Sequence, residues 1–198
     1  MKRSTIILAV AAFASAPAGA VTVSVAASDD ASLLGDYSGP SLLSFDAAFN
    51  DLSDGYSALS LAVELEDGDV GSPILFNSVF ENLTGLATET ITVELNGATF
   101  SAVGSLFAPF SPGVSGSLVN PSTYLISFGA PGDAFGVELG DVGFGGIDFG
   151  IDFGALQAGD TFGITISTGE LAQVPAPPVL ALFGLAGGVL VARRKRLK

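Results

Sequence analysis

The chain has 198 residues, 48% hydrophobic and 14% charged, with 26 glycines, 10 prolines and a formal net charge of −13. It contains neither cysteine nor histidine. These absences exclude disulfides, thiol catalysis, a Ser-His-Asp triad and the usual zinc ligands. Low charge and frequent glycine, together with alternating β-branched and aromatic residues, favour β structure over helix.

The charges are segregated along the chain. All seven basic residues lie near the two ends, whereas all 20 acidic residues lie between Asp29 and Glu170, so that this stretch carries a formal charge of −20. This acidic stretch, which we call the body, repels phosphate backbones and attracts cations, so nucleic acid is not expected as a partner.

Because the body has no lysine or arginine, it offers no Ser-Lys dyad and no cation for phosphoryl transfer. We predict no enzymatic activity and no catalytic residue, and keep a two-carboxylate glycosidase as a distant alternative.

Residues 1–20 have the pattern of a secretory signal peptide. Lys2 and Arg3 precede an apolar stretch, and Ala18 and Ala20 supply the small residues of a cleavage site. We expect cleavage before Val21, which makes the mature protein an exported one. The alternative is an uncleaved anchor or a buried helix.

Residues 21–173 are expected to form one acidic, extracytoplasmic domain. Apolar and polar residues alternate in several short runs, as in strands with one face in a core and the other in water. Turn signals separate these runs, and Asn96-Gly97 is the strongest hairpin signal. We predict an all-β, antiparallel two-sheet sandwich of the jelly-roll kind. A short helix over 41–52 is an added expectation. The predicted strands are 21–26, 59–66, 74–80, 90–95, 98–107, 122–128, 134–139, 147–153 and 161–167.

Residues 140–154 contain the repeat Ile-Asp-Phe-Gly-Ile-Asp-Phe-Gly at 147–154. As a strand, it would direct the isoleucines and phenylalanines, Ile147 included, to the core, and Asp148 and Asp152 outward. Gly145-Gly146 is predicted to form a hairpin turn or a bulge. A calcium-binding strip is the alternative, although the repeat has too few copies for the known nonapeptide pattern.

Calcium is the one cofactor for which the body offers ligands. Glu66, Asp67 and Asp69 cluster around Gly68, and Asp29, Asp30 and Asp36 form a second group. Carboxylates and loop carbonyls suit this ion, but neither group has EF-hand spacing. The alternative, which we prefer, is that these acids are simply solvated and that no cofactor is bound.

The C-terminal end combines prolines, an apolar run and a basic cluster. Residues 174–192 begin with Val174-Pro175-Ala176-Pro177-Pro178 and continue without a polar side chain. Because prolines fit the first turn of a helix and basic residues stay cytoplasmic, we predict a transmembrane helix here and a cytoplasmic tail at 193–198. A buried helix of the domain is the alternative. The basic cluster consists of Arg193, Arg194, Lys195, Arg196 and Lys198.

This tail, together with the signal peptide, resembles the PEP-CTERM sorting signal. The resemblance covers residues 174–198, and Ala176 stands where the usual Val-Pro-Glu-Pro motif has glutamate. It implies recognition by an exosortase, a membrane protease-transpeptidase, in a Gram-negative bacterium that makes extracellular polysaccharide.

We therefore expect an exported protein that is first anchored in the inner membrane and then sorted to the cell surface or matrix. Its expected role is structural or adhesive, in exopolysaccharide or biofilm. One alternative is a calcium-dependent carbohydrate-binding module. Another is a periplasmic protein whose anchor is never cut.

Overall fold

The structure is a computed structural model that describes residues 21–51, 56–84, 88–109, 111, 113–132, 136–143 and 145–168. The predicted signal peptide and the whole of 174–198 lie outside the described residues. Within the described part, no helix has the length and apolar character needed to cross a membrane.

The described residues form 13 β-strands and confirm an all-β fold. In chain order they are β1 (Thr22–Asp29), β2 (Ala31–Asp36), β3 (Leu42–Phe49), β4 (Ser57–Glu64), β5 (Ile74–Asn82), β6 (Thr88–Asn96), β7 (Thr99–Ala102), β8 (Leu106–Phe107), β9 (Ser115–Asn120), β10 (Thr123–Gly132), β11 (Val137–Leu139), β12 (Phe149–Asp152) and β13 (Thr161–Thr168).

Two sheets pack face to face around one core. Sheet A has the order β1-β4-β13-β6-β10-β9, and sheet B has the order β2-β3-β5-β11-β8, with β12 pairing β5 and β7. Tyr124 of sheet A and Phe149 of sheet B meet edge to face, with ring centroids 4.9 Å apart. Buried side chains from both sheets belong to a single hydrophobic cluster, so the body has the layers of a β-sandwich.

The alternation in the sequence sets which residues enter this core. In β4, Leu59, Leu61 and Val63 are buried, whereas the residues between them face outward. The same pattern holds in β6 and β13, whose buried residues are cross-strand partners. These three strands fall where the sequence predicts them.

The pair β3–β5 is parallel, which corrects the prediction of a purely antiparallel sandwich. A parallel pair needs a crossover connection. Here the chain leaves sheet B after β3, forms β4 in sheet A, and returns to sheet B as β5 in the same direction. The alternation of hydrophobic residues contains no information about strand direction, so the sequence did not reveal this pair.

The helix expected over 41–52 is wrong, because residues 42–49 form β3. This strand is central in sheet B, and Leu43, Phe45, Ala47 and Phe49 all face the core. The alternation is masked in the sequence by Ala48 and Leu42, which are apolar but lie on the opposite face. Pairing along both edges of β3 stabilises the extended form over any local helical preference.

The hairpin predicted at Asn96-Gly97 is also wrong. Gly97 has φ +91° and does reverse the chain, but β6 belongs to sheet A and β7 pairs only with β12 in sheet B. The turn therefore carries the chain between the sheets. A tight hairpin does join β9 and β10, where Asn120 pairs with Thr123 and the Asn120 side chain accepts a hydrogen bond from the Ser122 amide at 2.9 Å.

Candidate functional site

The outer face of sheet B combines a loop, two clefts and two acidic side chains whose pKa is raised by burial. Strand β5 is flanked along one edge by β11 and β12, placed end to end, and residues 140–143 and 145–148 lie outside the sheet between them. The next position in sheet B is likewise occupied by two strands, β7 and β8, with a break between them. We call residues 140–143 and 145–148 the outer loop. It is an Ω-type excursion whose two ends return to neighbouring positions on β5.

Side chains from three elements hold the outer loop in place. Asp148 Oδ1 accepts hydrogen bonds from the Asp141 amide at 2.7 Å and from Asn77 Nδ2 at 3.1 Å, closing the neck of the loop. On the other side, the Ser105 amide donates to Ile147 O at 2.7 Å, and Ser105 Oγ accepts from the Ile147 amide at 2.9 Å. The loop is thus fixed to β5 and to the interruption between β7 and β8.

Gly140 is required at the neck of this loop. Its φ is +77°, a conformation that residues with a side chain rarely adopt. A Cβ atom there would also lie 2.7 Å from Asn77 Cβ and 2.9 Å from Phe76 O.

A cleft of about 410 Å³ opens beside the outer loop, and we call it the Tyr37 cleft. Its floor is formed by the outward side chains of β3 and β5, and its walls by the segment after β2 and by the outer loop. The lining residues are Tyr37, Leu42, Ser44, Asp46, Asn77, Val79, Asp141 and Val142.

Asp46 is the charged group on the floor of the cleft. Burial raises the pKa of its carboxyl, although hydrogen bonds from the Val79 amide and the Tyr37 hydroxyl act in the opposite direction. Tyr37 lies over Gly35, where a Cβ would come within 2.6 Å of the phenol oxygen. Gly35 is the cross-strand partner of Asp46, so the absence of a side chain lets the phenol reach the carboxylate.

Glu138 is the second outer-face acid with a pKa raised by burial. Val79 separates the two acids, because it pairs with Asp46 on one side and with Glu138 on the other. Glu138 lines a different cleft of about 390 Å³, together with Ser105 and Phe107. Asp46 and Glu138 thus line two neighbouring clefts, one on each side of Val79.

No known family model, curated protein or solved structure matches this chain.

The first group of calcium candidates, Glu66, Asp67 and Asp69, does not form a set of metal ligands in the described structure. Asp69 is only 2% exposed, and its carboxylate accepts hydrogen bonds from the Ser41 amide at 3.2 Å and the Glu66 amide at 3.0 Å. The side chains of Glu66 and Asp67 are exposed. Asp69 thus joins two turns through backbone amides. Among the described residues, no group of three acidic side chains is arranged to hold a metal ion.

The second group lies along one side of the sandwich. Asp29 ends β1, Asp30 turns the chain from sheet A to sheet B with φ +50°, and Asp36 ends β2. Asp36 Oδ1 accepts from the Ser38 amide at 3.0 Å. Asp30 thus lies at the corner between the two sheets, and Asp36 accepts a hydrogen bond within the turn that follows β2.

The repeat at 147–154 is split by the structure. Phe149, Ile151 and Phe153 are buried as expected, but Ile147 is 71% exposed, which corrects its predicted place in the core. Ile147 lies in the outer loop, where its backbone is hydrogen-bonded to Ser105, and β12 begins only at Phe149. Gly145 and Gly146 lie in this loop and form no hairpin, because β11 and β12 both pair with β5 and not with each other.

The sorting motif (Val174, Pro175, Ala176, Pro177 and Pro178), the basic cluster and the cleavage residues Ala18 and Ala20 lie outside the described residues. Conversely, sequence reasoning missed the Tyr37 cleft, because the expected helix over 41–52 hid the position of Asp46. The signal was available: Ser44 and Asp46 alternate with Leu43, Phe45 and Ala47.

Proposed function

We propose that this chain is an exported surface or matrix protein that is anchored through its C-terminal end and processed by an exosortase-type protease. The observation that carries the proposal is the charge distribution: seven basic residues border two apolar runs at the ends, and a stretch with 20 acids and no base lies between them. Basic flanks stay in the cytoplasm, so this distribution directs the body outward.

The body supports a structural or adhesive role at the surface. It is one sandwich with a continuous core, and Val21, which follows the predicted cleavage site, is 3% exposed within that core. Successive strands mostly alternate between the two sheets, which supports the finer assignment of a jelly-roll-like topology. The acidic surface favours solubility outside the cell and repels anionic polymers.

The sorting step is tested by the mass of the C-terminal peptide recovered from cells that produce the protein. We expect the wild-type peptide to end near Pro175–Pro178 and to lack Lys198. Replacing Pro175, Pro177 and Pro178 by alanine leaves the apolar run and the basic cluster unchanged, and should retain Lys198 in the membrane fraction. Wild-type protein that is recovered only from the membrane fraction and keeps Lys198 would instead support the alternative of a periplasmic protein whose anchor is never cut.

A reporter fused after residue 198 tests orientation separately. An enzyme that is active only in the periplasm should be inactive in this fusion and active when fused after residue 173. Activity of the residue-198 fusion would overturn the proposed topology, whatever the outcome of the sorting experiment.

A further inference from the structure

The Tyr37 cleft combines an aromatic wall with a polar floor. Tyr37 is 64% exposed, so that much of its phenol remains accessible beside Asp46. Asn77, in contrast, is 5% exposed and yet lines the cleft. Its amide nitrogen donates to Asp141 O and Asp148 Oδ1, while its amide oxygen accepts no hydrogen bond from the described residues. This oxygen is not one of the enclosed unpaired side-chain atoms of the described residues, so it remains accessible to a ligand that donates hydrogen bonds.

The charge of the surroundings restricts the ligand. Asp46 and Asp141 both line the cleft, and the described body contains no lysine or arginine to balance an added anion. A uronate, a sulfate or a phosphate would meet only like charge at this site. A ligand with many hydroxyl groups can instead donate to the Asp46 carboxylate and to the Asn77 oxygen, and place an apolar ring face against Tyr37. Asp141 Oδ1 already accepts hydrogen bonds from the Gly143 and Gly145 amides.

Both walls of the cleft are fixed before a ligand arrives. The Tyr37 amide donates to Ser44 O at 2.8 Å, and the close approach of the phenol to Gly35 sets the position of the ring. The opposite wall is the outer loop, held by Asn77, Asp148 and Ser105. A preformed site loses little conformational entropy on binding. The volume of about 410 Å³ is within the range of roughly 300–1,000 Å³ typical of small-ligand sites.

We propose that the Tyr37 cleft binds an uncharged saccharide segment through hydroxyl donors and ring stacking, and does so without a metal ion. This inference rests on the proposed surface role, to which it adds the class of polymer recognised. It differs from the calcium-dependent module considered from the sequence, because the groups that would contact the sugar are Tyr37, Asp46 and Asn77.

Isothermal titration of the full-length chain, in a detergent without sugar head groups, tests the proposal. The probes are neutral oligosaccharides of the gluco-, galacto- and manno- series, with an oligouronate of equal length as the charged comparison. We expect at least one neutral series to bind in the presence of EDTA and the oligouronate not to bind. Failure of every neutral series, or loss of binding with EDTA, would overturn the proposal.

Two substitutions remove contacts, and each has a matched control. Tyr37→Ala and Asp46→Asn should each weaken binding about tenfold or more, whereas Tyr56→Ala and Glu94→Gln, at exposed positions outside the cleft, should leave it unchanged. Circular dichroism establishes that each variant is folded. Wild-type affinity in folded Tyr37→Ala would place the binding site elsewhere and contradict the inference.

Gly35→Ala is a stricter test because it leaves every proposed contact residue in the chain. The new Cβ would displace the Tyr37 ring, so binding should weaken as in Tyr37→Ala. Gly39→Ala, where a Cβ would meet nothing within 4 Å, is the glycine control and should bind normally. These titrations do not depend on the C-terminal tail, so their failure is distinguishable from a failure of the sorting proposal.

Discussion

At the scale of single residues, Asp69 shows how an acidic side chain can serve the fold. It lies in the turn after β4 and reaches across to Ser41, which precedes β3 and has φ +58°. Ser41 O in turn accepts from the Leu75 amide at 2.9 Å at the start of β5. The buried carboxylate therefore connects three segments through their backbones, and holds a residue in a left-handed conformation that glycine or asparagine would adopt more easily.

We predict that Asp69→Ala destabilises the body by about 1–3 kcal/mol, because it leaves two backbone amides without an acceptor in a buried site. Asp67→Ala, two residues away and exposed, should change the free energy of unfolding by less than about 0.5 kcal/mol. Chemical denaturation of the two variants beside wild type makes the comparison. Equal stability of the two variants would show that the Asp69 hydrogen bonds contribute little.

At the scale of secondary-structure elements, the edges of both sheets share one feature. Each edge strand of four residues or more carries one extra residue relative to its neighbour: Ala26 in β1, Leu34 in β2, Ser101 in β7 and Val119 in β9. Such bulges twist an edge and interrupt its row of free backbone groups, which hinders pairing with another chain. The remaining edge strand, β8, is only two residues long. The described body is thus protected against strand addition at every edge.

We expect deletion of Val119 to remove this protection from β9. Asn120 pairs with Thr123 and Leu118 with Tyr124, so the deletion brings both pairs into a continuous ladder and should preserve the hairpin. The uncharged strand would then offer a regular edge, and the protein should aggregate faster, most clearly at high salt, where the acidic bodies repel each other less.

Val119→Ser is the control, since it keeps the bulge while removing an apolar side chain that is 60% exposed. Light scattering during prolonged incubation compares the three proteins. If the deletion variant stays as monodisperse as wild type in high salt, the bulge is not what prevents association.

At the scale of the whole molecule, the charge of the body affects its stability. Burial raises the pKa of Asp46 and of Glu138 above their ordinary values of 3.8 and 4.5. Each group then binds more protons in the folded than in the unfolded state at pH values between its ordinary and its raised pKa. The free energy of unfolding therefore falls as the pH rises through that window, and stays lower above it. Repulsion among the 20 acids acts in the same direction.

We accordingly predict that the body unfolds at a lower temperature at pH 8 than at about pH 4, which is close to the ordinary pKa values of the two groups. The double variant Asp46→Asn/Glu138→Gln should show a smaller decrease between these two values, because the two desolvated carboxylates no longer ionise. Thermal unfolding followed by circular dichroism at several pH values measures this difference. A Glu89→Gln/Glu94→Gln variant controls for the change in net charge, since both residues are exposed. Identical pH dependence in the two double variants would contradict the assigned role of Asp46 and Glu138.

The sequence by itself determined the all-β class and most of the core. Alternation assigns a face to each residue of β4, β6 and β13, because side chains in an extended strand point to opposite sides in turn. It failed for β9, a strand exposed along its whole length, and for β3, where alanine and leucine on the outer face hide the period. The anchored topology likewise came from charge order alone and stays a prediction.

Only the tertiary structure decided which strands pair and which acids come together. The parallel β3–β5 pair, the crossing at Gly97 and the outer loop all depend on contacts between residues distant in the chain, to which local periodicity is insensitive. For the same reason Asp69, which the sequence offered as a candidate calcium ligand or a solvated acid, is buried and accepts a hydrogen bond from the Ser41 amide, while Tyr37, Asp46 and Asn77 meet in one cleft. Local pattern determines which side of a strand faces the core, and long-range packing determines what lies beside it.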